Sequence, residues 1–357
     1  MALRSLAQVP YIPFLSVRPA EMQALEELPE KDKDLLFPYF SLRPWTSARH
    51  LDAALIRIEE AYGHRPLFIT LVEPEMVEAR RPVHDQLDAL RVSTNGYQAW
   101  CDLIEANPNF VPGLQLEDLN QLRAQAVRLH ALGRGILVRI RSAAFPFAEG
   151  IAQQVASVTD RGRDVCFFLD FERANGDLLN RQLVTTGVVT SILNAAPRAF
   201  VAISASSFPD SFTAIVDQEI YERRLFNGVR QQLDNGRLIY SDRGSARAER
   251  QSGGAGMIPP RVDYAEPVRW TFFRAEDADN RFQQYQEQSR LVMSSPGWDG
   301  RLRLWGTQMI ERTAIGDRTA IISQAKATAV RINIHLHRQL YFDNPAAAYD
   351  TDEEWRD

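Results

Sequence analysis

The sequence predicts an α/β protein, a TIM-barrel-like (β/α)8 with a C-terminal α+β extension, on three observations. Short apolar runs rich in β-formers alternate with amphipathic stretches from Tyr11 to Asp242. The run over 164–172, with Val165, Phe167, Phe168 and Leu169 in sequence, is apolar enough to be buried on both faces, as parallel strands are. Several such runs end in a charged or hydroxyl residue, where the C-terminal ends of parallel strands form a functional face. Strict βα alternation implies right-handed crossovers, and eight units in about 250 residues match a barrel. An open doubly wound sheet is the alternative. Ser16-Val17-Arg18-Pro19 after the first strand lacks the glycines of a dinucleotide-binding turn.

The first strand is expected over 11–17, with prolines that suit a strand start or edge. Pro19 opens a helix striped by Met22, Leu25 and Leu28, with Glu21 in its first turn. A second strand at 35–42 ends in Arg43. Ser47 is the expected cap of a helix carrying Leu51, Ala54, Leu55 and Ile58 on one face. Residues 67–72 form a buried strand with Glu73 at its end; 74–96 are irregular and charged, an excursion before a helix over 97–106. A weaker strand at 111–116 precedes Glu117, Asp118 and a helix through Leu122, Ala126, Leu129 and Leu132, closed by Gly133 and Gly135. Strand 136–141 and helix 147–158 lead to the strand ending in Asp170. Helix 178–193, strand 199–204, a helix near 212–233 and strand 237–242 complete the series.

These elements place a barrel-like domain over 1–245. Residues 246–266, with Gly253-Gly254-Ala255-Gly256 and Pro259-Pro260, read as a loop or lid. Residues 267–342 read as an extension packed on the barrel, with a strand at 269–274 and helices at 278–293 and 319–341. The remainder, 343–357, is an acidic tail, expected to fray over 349–357.

Composition sets outer limits. The 357 residues are 45% hydrophobic and 24% charged, ordinary for a soluble globular protein, and a net charge of -5 argues against a nucleic-acid-binding surface. Cys101 and Cys166 have no metal-ligand spacing, and Cys166 reads as a reduced, hydrophobe-like thiol in a cytoplasmic protein. Gln8, Pro10 and Pro13 interrupt any signal-peptide core, and no apolar run approaches the roughly 18 to 20 residues that span a bilayer, so no membrane association is expected.

Asp170 and Glu172, with Asp242 at another strand end, are the candidate catalytic set. Paired carboxylates at a barrel mouth suit a divalent cation or acid–base work; the plainer reading is a solvated loop with Asp170 as a cap. Arg43, Arg139, Arg141 and Arg243, with Glu73, are the candidate ligand-binding set. Their guanidiniums suit phosphate or carboxylate, but equally neutralise Glu73, Asp118, Asp170 and Asp242 in an ion-pair network, which is the preferred reading. His335 and His337 face different sides of a helix and make no i,i+4 metal pair, so packing or surface roles are expected. The Gly253–256 run lacks the Lys-Ser/Thr of a phosphate-binding loop. Trp270, Phe272, Phe273, Trp298 and Trp305 read as core between barrel and extension, with a partner surface second. No nucleophile elbow, HExxH or zinc-finger pattern occurs, and no cofactor is expected.

Tyr11-Ile12-Pro13-Phe14-Leu15, then Glu21, Ala24-Leu25, Leu28 and Phe37-Pro38, resemble the opening of the phage Beta-protein family. The likeness continues through Leu169-Asp170, Ser206-Ser207-Phe208-Pro209, Asp242 with Gly244, Arg269-Trp270-Thr271, Trp305-Gly306 and the His335/His337 pair. Where the family has Gly-Asp-Tyr-Gly, Trp-Gly-Asp and adjacent histidines, this chain has Ser241-Asp242-Arg243-Gly244, Trp305-Gly306-Thr307 and His335-Leu336-His337. The resemblance implies a phage or prophage locus acting in anti-phage defence, where a family member restrains a lethal partner; it implies no established enzymatic activity. The expected function is therefore a binding or regulatory module. It would take a protein partner from the same locus, or a small anionic ligand, through the strand-end face. The alternative is a metal-assisted hydrolase of a phosphate-containing substrate, using Asp170, Glu172 and Asp242 with the arginines and a divalent cation.

Overall fold

Eight parallel strands form one sheet. The computed structural model describes residues 5–75, 79–212, 215–233, 235–248, 259–276 and 279–350. Its elements begin β1 (Tyr11–Ser16), α1 (Pro19–Glu26), α2 (Glu30–Leu35), β2 (Tyr39–Leu42), α3 (Asp52–Tyr62), β3 (Leu67–Leu71), α4 (Pro82–Leu90) and α5 (Thr94–Ala106). The next are β4 (Phe110–Pro112), α6 (Leu122–His130), β5 (Ile136–Arg141), α7 (Ala148–Ala156), β6 (Val165–Arg173), α8 (Gln182–Ala195), β7 (Phe200–Ser206) and β8 (Asp217–Glu219). The series closes with α9 (Tyr221–Leu233), β9 (Leu238–Asp242), β10 (Arg261–Ala265), β11 (Arg269–Arg274), α10 (Arg281–Ser294), α11 (Trp305–Ala314) and α12 (Gln324–Leu340).

The chain divides into two compact units, one of residues 1–17, 36–206 and 221–243, the other of 18–35, 207–220 and 244–357. They interleave, where the sequence suggested a single cut near 245. In the first unit the strand order is β4-β3-β2-β1-β9-β7-β6-β5. A parallel bridge from Gly113 to Leu137, with the Leu114 N–H donating to the Leu137 carbonyl at 2.9 Å, links the two end strands, as the barrel expectation requires. Gly113 is needed there: a Cβ would lie 2.0 Å from Thr70 Cγ2. Alternate residues point inward, and Ile12, Phe14, Tyr39, Phe68, Cys166, Phe168 and Ile239 belong to a packed interior rather than a pore. Phe14 stacks on Tyr39 with centroids 4.0 Å apart and meets Phe168 edge-on at 5.7 Å.

Several boundaries differ from the sequence expectation for local reasons. The strand expected at 35–42 keeps only its last four residues, because Leu35 ends α2 and Pro38 cannot donate to a ladder. Ser47 caps nothing; α3 starts at Asp52, and the Leu51 N–H is met by Gln86 Oε1 at 2.9 Å. Gln86 lies on α4, a helix inside the stretch read as an irregular excursion. The stretch before α9 supplies β8 instead of a longer helix. β10 falls inside the 246–266 loop, with Val262, Asp263, Tyr264 and Ala265 all buried. The Gly253–256 run and residues 351–357 of the acidic tail lie outside the described residues. The described part of that tail is anchored, not frayed: Tyr349 donates to Asp299 Oδ2 at 2.6 Å.

In the second unit β10, β11 and β8 form an antiparallel sheet with β11 central. Ser323 caps α12 through the Lys326 N–H at 3.2 Å. This helix is buried on all sides, not on one stripe. Asn333 on it donates to the Ala24 carbonyl of α1 and accepts from the Gly306 N–H, both at 3.0 Å. Those bonds explain why α1, early in the chain, belongs with the C-terminal helices.

Candidate functional site

The C-terminal mouth of the barrel is organised by an irregularity in β6. Its register with β7 shifts between Asp170 and Arg173, and Glu172 adopts φ 59°, a left-handed conformation costly for a side chain of this kind. The turn aims the Glu172 N–H back at Asp170 Oδ1, 2.8 Å away. Asp170 is fully buried, and its Oδ2 accepts from Arg139 Nε at 2.9 Å and Arg243 Nη2 at 2.7 Å. Burial pushes this carboxyl up, but the Arg243 and Arg139 charges and the Glu172 N–H outweigh it, holding the group below the usual carboxylate range.

The network spreads to the rim. Arg139 reaches Glu73 at 3.2 Å; Arg141 pairs with Glu172 at 2.6 Å and with Glu73 at 3.4 Å. The Arg139 and Arg243 guanidiniums lie 5.2 and 4.1 Å from the Phe14 ring centroid, so the outermost aromatic of the core supports the cations. Arg43 pairs with Glu75 at 2.7 Å. Of the ion-pair network expected from the sequence, Glu73, Asp170, Arg139, Arg141 and Arg243 are joined and Glu172 is added, whereas Asp118 accepts from the Asn120 N–H at 3.1 Å.

Asp242 is not part of this mouth, and the proposed Asp170–Glu172–Asp242 set is not assembled. Ile239 faces the interior, so two-residue alternation sends Ser241 to the mouth and Tyr240 and Asp242 to the opposite face. There Asp242 accepts from Tyr11 and Tyr240 hydroxyls at 2.5 and 2.8 Å, and Arg223 of α9 lies 3.2 Å over the Tyr240 ring. Burial, with the Asp242 charge beside them, pushes both phenols well above their ordinary range, so both remain donors.

Sequence reasoning missed two residues of the mouth. Ser204 is in register with Asp170, and Ser241 lies two beyond Ile239; both are fully buried, and neither hydroxyl has a hydrogen-bond partner. Arg243 Nε is likewise buried and unsatisfied. Counting two forward from inward Ala202 and Ile239 would have found both serines. Unsatisfied buried polar atoms are rare in native proteins, and these three lie close together at the mouth.

Asp170 itself is poorly placed to hold a cation, since both oxygens already accept and two guanidiniums flank it. Among the described residues no group of three or more His, Cys, Asp or Glu stands together as a metal site. The histidines pack: Trp270 Nε1 donates to His335 Nδ1 at 3.2 Å, while His337 bridges Asp32 at 2.6 Å and the Ala348 carbonyl at 2.9 Å. Trp270 is fully buried and Trp298 packs on Tyr264 at 5.3 Å, both within the second unit. Burial pushes the Cys166 thiol up to about 12, leaving it inert.

The chain belongs to the Beta protein family, whose family model matches residues 11–341. It is 25% identical over 355 residues to Protein beta of Enterobacteria phage P4, covering 96% of this chain and 97% of that protein. Among solved structures, it matches the carboxyl transferase domain of Rhizobium etli pyruvate carboxylase with 3-bromopyruvate. That match has 9% identity and a TM-score of 0.38, over 96% of this chain and 54% of the other, a likeness too weak to carry inference. No helix among the described residues is long and apolar enough to cross a membrane.

Proposed function

We propose that this phage-related Beta-family chain is a cytoplasmic binding module of an anti-phage defence or toxin-restraining locus, engaging a protein partner through the strand-end rim of its barrel. The observation that carries this reading is the state of the carboxylates. Asp170 is occupied by two arginines and a backbone N–H, and Asp242 by two tyrosines on the other face. Neither is left as a base or a metal ligand, which speaks against the hydrolase alternative. Above Asp170 stand half-exposed Glu73 and Arg141, charges of both signs held by pairing. Such a rim gives orientation and on-rate to a partner of complementary charge.

The test is co-expression with the neighbouring genes and affinity purification through this chain. The expected result is a defined partner whose recovery falls about tenfold or more when Glu73→Arg and Arg141→Glu are introduced singly. A partner retained equally by both variants, or substrate turnover that Asp170→Asn abolishes in a folded chain, overturns the proposal.

A further inference from the structure

The second unit contains a cavity of about 680 Å³, inside the range of small-ligand sites. Its walls include Phe208, Phe212 and the arginines Arg247, Arg261 and Arg331. Arg331 is buried, bonded to Asp263 Oδ2 at 2.5 Å and to Ser245 Oγ at 3.3 Å, and lies 4.0 Å over the Phe208 ring. Arg261 lies 3.4 Å over Phe212. Its Nε is 2.6 Å from Asp263 Oδ1 but off the line a hydrogen bond needs, and is left buried without a hydrogen-bond partner. Arg247 donates to the Pro209 and Asp210 carbonyls at 3.0 and 2.8 Å, dipoles that orient its charge without cancelling it.

Arg18 and Arg274 also line the space, so five guanidiniums face the carboxylates of Glu21, Asp210 and, behind the wall, Asp263. Pro19 and Ala20, at the N-terminus of α1, add the positive end of a helix. The cations strain against one another. Burial, with Arg261 and Arg247 nearby, lowers Arg331 to about 10 in spite of Asp263. Nothing in packing requires like charges to be gathered around open space.

We infer that this cavity is a binding site for a small phosphate-bearing anion, held by the guanidiniums of Arg247, Arg261 and Arg331 above the Phe208 and Phe212 rings. Planar forks suit tetrahedral oxyanions, and two or more negative charges complete the balance that the described residues leave open. The phosphate group is the recognised chemistry, whether free or on a nucleotide.

Calorimetric titration of the full chain in chloride buffer with inorganic phosphate, pyrophosphate and a nucleoside triphosphate tests the site. Pyrophosphate is expected to bind one to one, and Arg247→Gln to weaken it about tenfold or more, while Arg128→Gln on α6 leaves it unchanged. Arg274→Gln, at an exposed side chain on the same wall, serves if Arg247→Gln fails to fold. A triphosphate bound tighter than pyrophosphate identifies a nucleotide as the source, and equal affinity identifies the phosphates alone. No binding of any of the three up to about 5 mM, or binding that both cavity variants leave intact, overturns the inference.

Discussion

The barrel mouth and the cavity of the second unit both set arginines over phenylalanine rings, yet they settle charge in opposite ways. At the mouth, Arg139 and Arg243 share fully buried Asp170, and Glu73 and Glu172 take up the rest. In the cavity, Asp263 serves both Arg261 and Arg331, while Arg247 has carbonyls for partners. The contrast separates architecture from invitation. A buried ion cluster balanced within itself holds strand ends together, whereas the proposed site, lined by more guanidiniums than described carboxylates, would take part of its stabilisation from the anion inferred above.

The largest expected effect comes from removing the carboxylate at the balanced site. Asp170→Asn strands two guanidiniums in a buried mouth and should cost about 3–5 kcal/mol in urea denaturation. A loss below about 1 kcal/mol would show that the network does not hold the barrel. The same variant tests linkage. The Asp170 carboxyl is depressed in the folded chain, so its stabilisation is present above the unfolded value near ~4 and is lost as pH falls through the lower folded value. The acid limb of the wild-type stability curve should therefore be steeper than that of Asp170→Asn.

Asp263→Asn is the matching change in the cavity and should cost somewhat less, about 2–4 kcal/mol, because Asp263 accepts a hydrogen bond from one guanidinium, where Asp170 accepts from two and from a backbone N–H. The comparison sharpens with ligand present: pyrophosphate should raise the melting temperature of Asp263→Asn by more than it raises that of the wild type, and that of Asp170→Asn by no more than the wild type's. Equal behaviour of the two variants would erase the distinction.

The smallest effect concerns the strained turn beneath the mouth. Glu172→Gly removes a half-exposed pair with Arg141 but relieves a left-handed φ, so stability should stay within about 1 kcal/mol of wild type. A large loss would mean that the Arg141 contact, rather than the backbone turn, positions the Glu172 N–H on Asp170.

Much of the barrel was legible because a strand buried on both faces needs a continuous apolar run, a property of neighbouring residues. The runs ending at Leu71, Arg141, Asp170 and Asp242 are of this kind, and each became a barrel strand. Where strands are short, turn chemistry and distant partners decided: β2 begins only after Pro38, and β10 sits directly after Pro259-Pro260 in a stretch without apolar periodicity. The Asp170 cluster was legible in part: Asp170, Arg139, Arg141 and Glu73 stand at the ends of neighbouring strands, while Asp242, also at a strand end, points to the other face.

The sequence by itself determined the βα alternation, the parallel strands and the placing of Asp170, Arg139 and Glu73 at strand ends, because each follows from local periodicity and the two-residue pleat; closure rests on the Gly113–Leu137 bridge between the end strands. Tertiary structure alone decided that Asp242 faces away with Tyr11 and Tyr240, since the side of a strand depends on which residue of its neighbour it pairs with. It alone brought Phe208, Arg247, Arg261 and Arg331 around one cavity. Those residues lie on separate segments whose meeting is set by packing and antiparallel pairing, and no spacing along the chain records that.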